Sequence, residues 1–324
     1  MNVNKKVIIL HNNINIKSTP DEADVLKQVE LVYNALKELD YNPETFSLNE
    51  NLNDNIQQII YKKPLFVFNL VESIFGKGEL LYFAPALLNA FHIPFTGISV
   101  ESLFLTTNKI LAKKILKTQN IPTPEHFTIK RTDLLEINKK YILKPICEDG
   151  SVGLNEVSVF SPTQKDIVDK IKHFPSSHYF IEEYIDGREF NISILGGKSN
   201  YQIFEPAEII FKDFQDDKAK ILDYKAKWDE TSLEYKNTIR TFNTLDLESD
   251  LYKSILDISR QCWEIFDLTG YARIDFRIDK SGQPYVIEIN GNPCISYDSG
   301  FMAAAYKSGL SDKDVIKKII NEVI

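Results

Sequence analysis

The most constraining feature of the sequence is a predicted β-hairpin that runs from Arg273 to Asn290. Apolar and polar residues alternate along both arms, which is the pattern of two strands that each bury one face. The turn is predicted at Ser281-Gly282. The buried face is predicted to consist of Ile274, Phe276 and Ile278 on the first arm and Tyr285, Ile287 and Ile289 on the second.

The polar face of this hairpin brings four chemically useful side chains together. With the turn centred at Ser281-Gly282, Asp275 lies opposite Glu288 and Arg273 lies opposite Asn290, and directly opposed residues share one sheet face. Carboxylate and amide oxygens are the ligands that Mg²⁺ selects, and an arginine suits a phosphate or a developing oxyanion. The alternative is an ordinary solvated hairpin face. That explanation would suffice for either carboxylate alone, but it is the less favoured one for the four side chains together.

Length and composition limit the class of protein. The chain has 324 residues, enough for two or three domains, with 43% hydrophobic and 26% charged residues and a net charge of −8. This acidic balance disfavours a general binder of nucleic acids or anionic membranes. Three widely separated cysteines form no CxxC pair, which indicates a reducing compartment and disfavours zinc. The apolar run Val7 to Leu10 is too short for a signal or spanning helix, so we expect a cytoplasmic protein.

Alternating strand and helix signals predict an open α/β domain at the N-terminus. Val7 to Leu10 and Pro64 to Asn69 are near-continuous apolar runs, typical of buried parallel strands. Between them, Thr19-Pro20-Asp21-Glu22 is a capping box with proline at the first helical position, and apolar residues at helical spacing continue to Leu39.

The rest of the chain is predicted to form two further units. A helix from Asn108 to Gln119 opens the second unit, and a strand from Tyr141 to Pro145 follows. The third unit contains a helix from Asp250 to Phe266 and the hairpin. The predicted limits are 1–100, 101–190 and 191–324. The fold class is α/β, with α+β character in the second and third units.

A glycine-rich loop follows the strand that ends at Pro145. The glycines of Gly150-Ser-Val-Gly153 permit positive φ angles, which turn backbone N–H groups toward a phosphate. A plain hairpin connection is the commoner explanation of such a loop taken alone. Lys144 favours the phosphate hypothesis, because a lysine at the end of an apolar strand is costly unless its charge has a partner. The alternative for Lys144 is extension into solvent.

Together these segments resemble the ATP-grasp superfamily and, within it, the D-alanine-D-alanine ligase family. The resemblance covers most of the chain and rests on the order of several short motifs. The motifs are Phe68-Asn69, Ile93-Pro-Phe-Thr-Gly97, Thr107-Asn-Lys109, Leu143-Lys-Pro145, Gly150-Ser-Val-Gly153, Phe180-Ile-Glu-Glu-Tyr-Ile185, Gly187-Arg-Glu189, Asp223-Tyr-Lys-Ala-Lys227, Arg273-Ile-Asp275 and Glu288-Ile-Asn290.

The resemblance implies an ATP-grasp fold and an ATP-dependent ligase that forms a carbon–nitrogen bond through an acyl phosphate. It implies ATP and two Mg²⁺ ions, for which Mn²⁺ can substitute, with ADP and phosphate as products. The implied substrates are amino acids or dipeptide-type small molecules, and the family often forms homodimers. Neither nucleic acid nor membrane is an implied partner.

The resemblance also implies a role for individual residues. Asp275, Glu288 and Asn290 would bind the metal ions, and Arg273 would stabilise the tetrahedral intermediate. The implied nucleotide contacts are Lys109 and Lys144 with the phosphates, Ser151 in the loop that closes over them, Glu182, Glu183 and Ile185 with adenine, and Glu189 with the ribose. Lys227 would lie on a second closing loop.

The substrate side departs from the family pattern. The N-terminal Gly-Gly-x-Ser-x-Glu signature is absent, and Glu22 is the candidate replacement for its glutamate. Trp228 stands where the family usually has a tyrosine whose hydroxyl bonds the loop serine, here Ser151, and an indole cannot accept that hydrogen bond. Ser299 is the candidate ligand of an acceptor carboxylate.

These observations leave three ranked hypotheses. The first is a carboxylate–amine ligase of amino acids or similar substrates with non-standard specificity, because the departures fall on the substrate side. The second is an orthodox D-alanine-D-alanine ligase of peptidoglycan precursor synthesis. The third is a catalytically inactive ATP-binding regulatory protein, against which the intact set of Arg273, Asp275, Glu288 and Asn290 argues.

Overall fold

The computed structural model describes residues 5–16, 18–155, 157–215 and 218–324. These residues contain three sheets: a three-stranded sheet near the N-terminus, a four-stranded sheet, and a six-stranded sheet that contains the hairpin. Among the helices in these ranges, none has the length and apolar character needed to cross a membrane.

The N-terminal sheet is parallel and consists of β1 (Lys6–Asn12), β2 (Asn42–Leu48) and β3 (Phe66–Leu70), in the order β2-β1-β3. β1 and β3 confirm the two predicted apolar strands. β2 was not predicted, because its sequence is mostly polar and contains Pro43. The proline is tolerated because β2 lies at the edge of the sheet.

Helices connect these strands and lead into the second sheet. They are α1 (Pro20–Ala23), α2 (Val25–Glu38), α3 (Leu52–Lys62), α4 (Phe83–Ala90), α5 (Val100–Thr107) and α6 (Lys109–Thr118). The predicted capping box begins α1, where the backbone N–H of Thr19 donates to Oε2 of Glu22 at 3.0 Å. α6 confirms the helix predicted from Asn108, whose side chain accepts from the backbone N–H of Leu111 at 3.1 Å.

The four-stranded sheet is antiparallel, in the order β4-β7-β5-β6. Its strands are β4 (His126–Thr128), β5 (Tyr141–Pro145), β6 (Val159–Phe160) and β7 (Tyr179–Glu183), and α7 (Lys165–Ile171) precedes β7. A small core of its own holds this sheet together, formed by Ile129, Tyr141, Leu143, Phe160, Ile171 and Ile181.

The six-stranded sheet is also antiparallel, in the order β11-β10-β8-β12-β13 with β9 paired to β8. Its strands are β8 (Arg188–Gly196), β9 (Tyr201–Ile203), β10 (Ala207–Phe211), β11 (Thr238–Thr241), β12 (Gly270–Ile278) and β13 (Pro284–Gly291). The remaining helices are α8 (Tyr224–Trp228), α9 (Leu233–Asn237), α10 (Asp250–Ile265), α11 (Gly300–Lys307) and α12 (Asp312–Ile320).

The ends of the chain share one core. Val7 and Ile9 of β1 are fully buried in one cluster with residues of α2, α11 and α12. The opposite face of the same sheet packs on α3 and α4 through Ile8 and Leu10. The N-terminal sheet therefore packs against the C-terminal segment. The domain limits predicted at residues 100 and 190 remain a prediction.

The hairpin of β12 and β13 has the predicted register at its polar end and a different one near its turn. Asp275 pairs with Glu288 and Arg273 with Asn290, as predicted. Beyond Asp275 the register shifts at a β-bulge, so Phe276 pairs with Val286 and Ile287 is the extra residue. Val286 is buried in the core instead of Tyr285 and Ile287, so the prediction was wrong for those two side chains.

The segment 184–187 connects the two antiparallel sheets. β7 ends at Glu183 in the four-stranded sheet, and β8 begins at Arg188 in the six-stranded sheet. Gly187 is required in this connection, because a Cβ atom there would lie 1.8 Å from the carbonyl oxygen of Ile278. Residues of both sheets line the cavity described next.

Candidate active site

Two adjoining cavities collect most of the side chains singled out from the sequence. The first, called the inter-sheet cavity, lies between the two antiparallel sheets. Its walls include Lys109, Lys144, Ser151, Glu182, Glu183, Ile185, Glu189, Lys227, Arg273, Asp275, Glu288 and Asn290. The second cavity, of about 440 Å³, extends from there toward the N-terminal sheet, and Glu22 and Trp228 line it. Ser299 lines neither cavity.

Asp275 is the centre of a hydrogen-bonded cluster at the border of the two cavities. Arg273 donates to both of its carboxylate oxygens at 2.7 Å, through Nε and Nη2. Asn290 donates from Nδ2 to Oδ2 at 3.1 Å, and Asn191 of β8 donates to Oδ1 at 2.8 Å. Three neighbouring strands therefore fix this carboxylate, which gives the position the rigidity that a ligand site needs.

Glu288 shares the ammonium of Lys109 with Asp149. Nζ of Lys109 lies 2.9 Å from an oxygen of each carboxylate and donates to the carbonyl oxygen of Glu148 at 2.7 Å. Burial raises the pKa of Asp149 to about 7, with Glu288 acting in the same direction and Lys109 against it. Burial also disfavours the charged form of Glu288, but Lys109 and a hydrogen bond with Asp149 outweigh it and lower the pKa of Glu288. Below about pH 7 the pair therefore holds one proton, and Asp149 is the favoured carrier.

A buried ion cluster joins α6 to the four-stranded sheet. Glu182 pairs through Oε1 with Lys144 at 3.0 Å and through Oε2 with Lys113 at 2.8 Å. Nζ of Lys113 also donates to Oγ1 of Thr123 at 3.0 Å. Burial disfavours the charge on Glu182, but the two lysines outweigh it, so the pKa of Glu182 is lowered. Removing either lysine would leave part of a buried charge uncompensated.

Glu189 is held by an arginine that sequence analysis missed. Nη2 of Arg277 lies 2.7 Å from Oε2 of Glu189, and the guanidinium stacks 5.6 Å from the ring centre of Tyr184. Arg277 also donates to the carbonyl oxygen of Gly187 at 3.3 Å. This arginine therefore fixes both Glu189 and the connection between the sheets.

The glycine-rich loop at 150–153 and the segment 222–228 are joined by hydrogen bonds, mainly to backbone oxygens. Oγ of Ser151 donates to the carbonyl oxygen of Leu222 at 2.5 Å, and Nε1 of Trp228 donates to that of Gly150 at 2.9 Å. Nζ of Lys227 lies 5.0 Å from the centre of the Trp228 ring. The indole therefore replaces the expected hydroxyl contact by donating a hydrogen bond, which agrees with its inability to accept one.

The predicted substrate-side residues are less closely grouped. The carboxylate of Glu22 faces the second cavity but is already bonded to the backbone of Thr19 in the capping box. Oγ of Ser299 accepts from the backbone N–H of Met302 at 3.2 Å and caps α11. The structure therefore gives Ser299 a helix-capping contact outside both cavities.

Sequence analysis missed several residues of the site, although the spacing of some of them in the sequence could have indicated their position. Arg277 follows Arg273 and Asp275 at a spacing of two, which places all three on one face of β12. Lys113 lies one turn after Lys109 on α6, so both face the same side. Asn191 and Asp149 had no comparable signal, because strand pairing and loop closure bring them in from distant parts of the sequence.

The polar cluster is chemically suited to a hard divalent cation. Asp275, Glu288 and Asn290 offer carboxylate and amide oxygens side by side on one sheet face. Oε1 of Glu288 is buried and makes no hydrogen bond, since its contact with Lys109 at 2.9 Å lacks hydrogen-bond geometry. Within the described residues, no three His, Cys, Asp or Glu side chains are arranged for a metal, so a metal bound here would also need the amide and ligands from outside the chain.

Comparisons with known proteins identify the family of the chain. The family described as "D-ala D-ala ligase C-terminus" matches residues 115–321. An uncharacterized protein, y4sG, of Sinorhizobium fredii is 31% identical over 79% of this chain and 73% of its own. A D-alanine–D-alanine ligase of Aquifex aeolicus is 28% identical over 91% of this chain and 94% of its own. The crystal structure of the Bacillus anthracis D-alanine–D-alanine ligase complexed with ATP has a TM-score of 0.72 and 20% identity, with 98% and 97% of the two chains covered.

The fold and the site define an ATP-dependent ligase with the ATP-grasp fold. The family match covers more than half of the chain, and the rhizobial relative is similar over most of both sequences. The chain belongs to the D-alanine–D-alanine ligase family.

Proposed function

We propose that this ligase joins the carboxyl group of one amino acid, or of a similar small molecule, to the amine of a second through an acyl phosphate. The observation that carries the proposal is the junction of the two cavities. Arg273, Asn290 and Lys227 line both, so a molecule in the second cavity can reach the phosphate end of a nucleotide in the first. ADP and phosphate would be the other products.

The nucleotide assignments follow from the walls of the inter-sheet cavity. Lys109, Lys144 and the Ser151 loop are proposed to bind the phosphates. The 182–185 segment, with Glu182, Glu183 and Ile185, is proposed to bind adenine, and Glu189 the ribose. Lys109 is buried, Lys144 is partly buried, and both ammonium-bearing side chains line the cavity wall, which supports a polyphosphate ligand.

Asp275, Glu288 and Asn290 are proposed to hold Mg²⁺, with Mn²⁺ as a substitute. Metal bound there would neutralise negative charge on the polyphosphate. Two carboxylates and an amide on one face of the hairpin support this assignment, because such oxygens are the ligands that a hard divalent cation prefers.

The proposed reaction has two bond-forming steps between the substrates, and residues of the chain are assigned to support them. A carboxylate oxygen attacks the γ-phosphorus and ADP leaves. The amine nitrogen then attacks the carbonyl carbon, phosphate leaves, and the nitrogen loses a proton. Arg273 is proposed to stabilise negative charge on the tetrahedral intermediate, and the hydrogen-bonded loops are proposed to exclude water that would hydrolyse the acyl phosphate.

Two substrate assignments remain as candidates within this reaction. Non-standard specificity is supported by the capping contact of Glu22, the Trp228 indole, and the position of Ser299 outside the cavities. D-Alanyl-D-alanine synthesis is supported by the names of relatives that are 26–28% identical to this chain. A catalytically inactive regulator is disfavoured, since the chain is a ligase with the polar cluster intact.

A panel of D- and L-amino acids, supplied singly and in pairs with ATP and Mg²⁺, tests the proposal. We expect ADP release to depend on a carboxylate and an amine substrate together, and mass spectrometry to detect the condensed product. Glu288→Gln is the matched control and should not release ADP. ADP release that is independent of every amino acid would contradict the proposal, and D-alanine as the best substrate of both sites would favour the second candidate.

A further inference from the structure

Arg277 is a buried cation in the wall of the inter-sheet cavity. Its strand, β12, pairs with β8 in a register that sets Arg277 directly opposite Glu189. Nη2 of Arg277 lies 2.7 Å from Oε2 of Glu189, and both side chains are less than a tenth exposed. Both also line the cavity. The two side chains therefore share one sheet face and belong to the wall of the proposed nucleotide site.

Further contacts fix the guanidinium of Arg277. Nη1 donates to the carbonyl oxygen of Gly187 at 3.3 Å, and Nη2 donates to that of Lys220. The ring centre of Tyr184 lies 5.6 Å from the guanidinium carbon. A planar cation that is bonded along its edge and stacked on a ring has little freedom to rotate. Arg277 therefore presents its charge to Glu189 from a fixed position.

Glu189 depends on this one arginine for its ion pair. Within the described residues, Glu189 forms no ion pair other than the one with Arg277. A buried carboxylate needs a bonded cation to stay charged and in place. Hydroxyl groups bind a charged acceptor more strongly than a neutral one. Without Arg277, Glu189 could take up a proton or rotate, and a ribose would lose a fixed acceptor.

An ion pair between neighbouring strands can also serve the fold alone, and the chain contains an example. Arg188 precedes Glu189 on β8 and donates to both carboxylate oxygens of Glu208 on β10, at 2.7 and 2.8 Å. Arg188 is largely exposed and lines neither cavity. Arg277 differs from Arg188 in its burial and in its place at the cavity wall, so Arg188 is the matched control for a purely structural role.

We propose that Arg277 is a positioning residue for the nucleotide. It holds the carboxylate of Glu189 in the charge state and orientation that bind the ribose hydroxyls, and it thereby makes the enzyme prefer ribonucleotides to deoxyribonucleotides. This inference rests on the function proposed above, in which Glu189 binds the ribose, and it adds the residue that sets this selectivity. An arginine suits the role because its planar fork reaches Glu189 and two carbonyl oxygens at once.

Binding calorimetry with Mg²⁺ and without amino acids tests the inference. It compares the Kd of ADP with those of 2′-deoxy-ADP and 3′-deoxy-ADP. We expect wild type to bind ADP at least about tenfold more tightly than one or both deoxy analogues, because a missing hydroxyl leaves a buried charged acceptor unpaired. The ratio of Kd values is the readout, since a general defect in the site would weaken all three ligands alike.

The variants separate positioning from structure. Arg277→Met should reduce the preference for ADP to within about threefold, whereas Arg188→Met should retain it in full. Arg277→Lys keeps the charge without the fork and should show an intermediate preference. Equal binding of all three nucleotides by wild type would overturn the inference, and so would an unchanged preference in a folded Arg277→Met protein.

Arg277→Lys decides the matter if Arg277→Met does not fold. A preference that is at least about threefold smaller than that of wild type would then support the inference, and an unchanged preference would overturn it. Loss of all nucleotide binding in both variants would assign a structural role to Arg277 and would overturn the inference as well.

A double variant tests whether Arg277 acts through Glu189. Glu189→Gln should lower the preference for ADP, and Arg277→Met should lower it no further in the Glu189→Gln background. A further decrease in the double variant would show that Arg277 acts on the nucleotide by another route and would overturn the positioning role.

These measurements keep the inference distinct from the proposed function. A preference that is unchanged in Glu189→Gln would refute the proposed ribose contact of Glu189. A preference that depends on Glu189 but not on Arg277 would refute this inference alone. Failure of the ligase proposal would appear separately, as ADP release that does not depend on any pair of amino acids.

Discussion

Replacing Glu72 by glutamine should stabilise the protein near neutral pH. Burial raises the pKa of the Glu72 carboxyl, in the wall of the second cavity, from 4.5 to about 6. Because one pKa unit corresponds to about 1.4 kcal/mol, the charged form costs the folded state roughly 2 kcal/mol at most. Glutamine keeps an acceptor for Gln28, whose amide donates to Glu72 at 2.8 Å, and removes the charge. The wild-type enzyme therefore gives up stability for this carboxylate, as is common at binding sites.

The sign of this effect depends on pH. Between pH 4.5 and about 6 the folded state holds the proton on Glu72 more tightly than the unfolded state does. The wild-type protein therefore loses stability as the pH rises through this window, whereas Glu72→Gln does not. We expect the two proteins to be similar below pH 4.5 and the variant to be more stable by roughly 1–2 kcal/mol at pH 7.

Urea unfolding of wild type, Glu72→Gln and Glu50→Gln across this pH range measures the effect. Glu50 is exposed and lines neither cavity, so its variant controls for the change in net charge. A Glu72→Gln variant that is less stable at pH 7, or whose advantage is independent of pH, would refute this account of Glu72.

Three further substitutions test the rest of the site. Glu288→Gln should lower kcat by at least about a hundredfold without unfolding the protein, because it weakens the proposed metal site; near-normal turnover would contradict that role. Lys113→Met should destabilise the fold by about 3 kcal/mol in urea unfolding, because it breaks one side of a buried ion cluster, and an unchanged midpoint would argue against that. Trp228→Phe keeps the ring but removes the donor to Gly150, so we expect faster ATP hydrolysis per product formed; an unchanged ratio of ADP to product would show that this bond does not keep the loops closed.

The sequence predicted the part of the site that lies within one hairpin. The alternation of apolar and polar residues and the turn at Ser281-Gly282 were enough to predict that Asp275 pairs with Glu288. The structure confirms that pair. The bulge at Ile287 was not predictable, because Val286 and Ile287 are both apolar and either could face the core. The edge strand β2 was missed because its polar sequence and Pro43 carry no strand signal.

Contacts between distant segments were beyond the sequence patterns. The cluster of Lys113, Glu182 and Lys144 depends on how α6 packs against the four-stranded sheet. Asp149 meets Glu288 through closure of a loop, and Glu72 meets Gln28 through packing of α2 on the N-terminal sheet. None of these residues has a local pattern that indicates its partner, so their charge state became clear only in the folded structure.

Oxygen transfer from substrate to phosphate tests the proposed chemistry most directly. A substrate labelled with ¹⁸O in its carboxylate would be turned over with ATP and the amine partner, and the released phosphate analysed by mass spectrometry. An acyl phosphate requires that one carboxylate oxygen leave with the phosphate, so we predict one ¹⁸O atom in each phosphate formed. Unlabelled phosphate released together with condensed product would contradict the acyl-phosphate route.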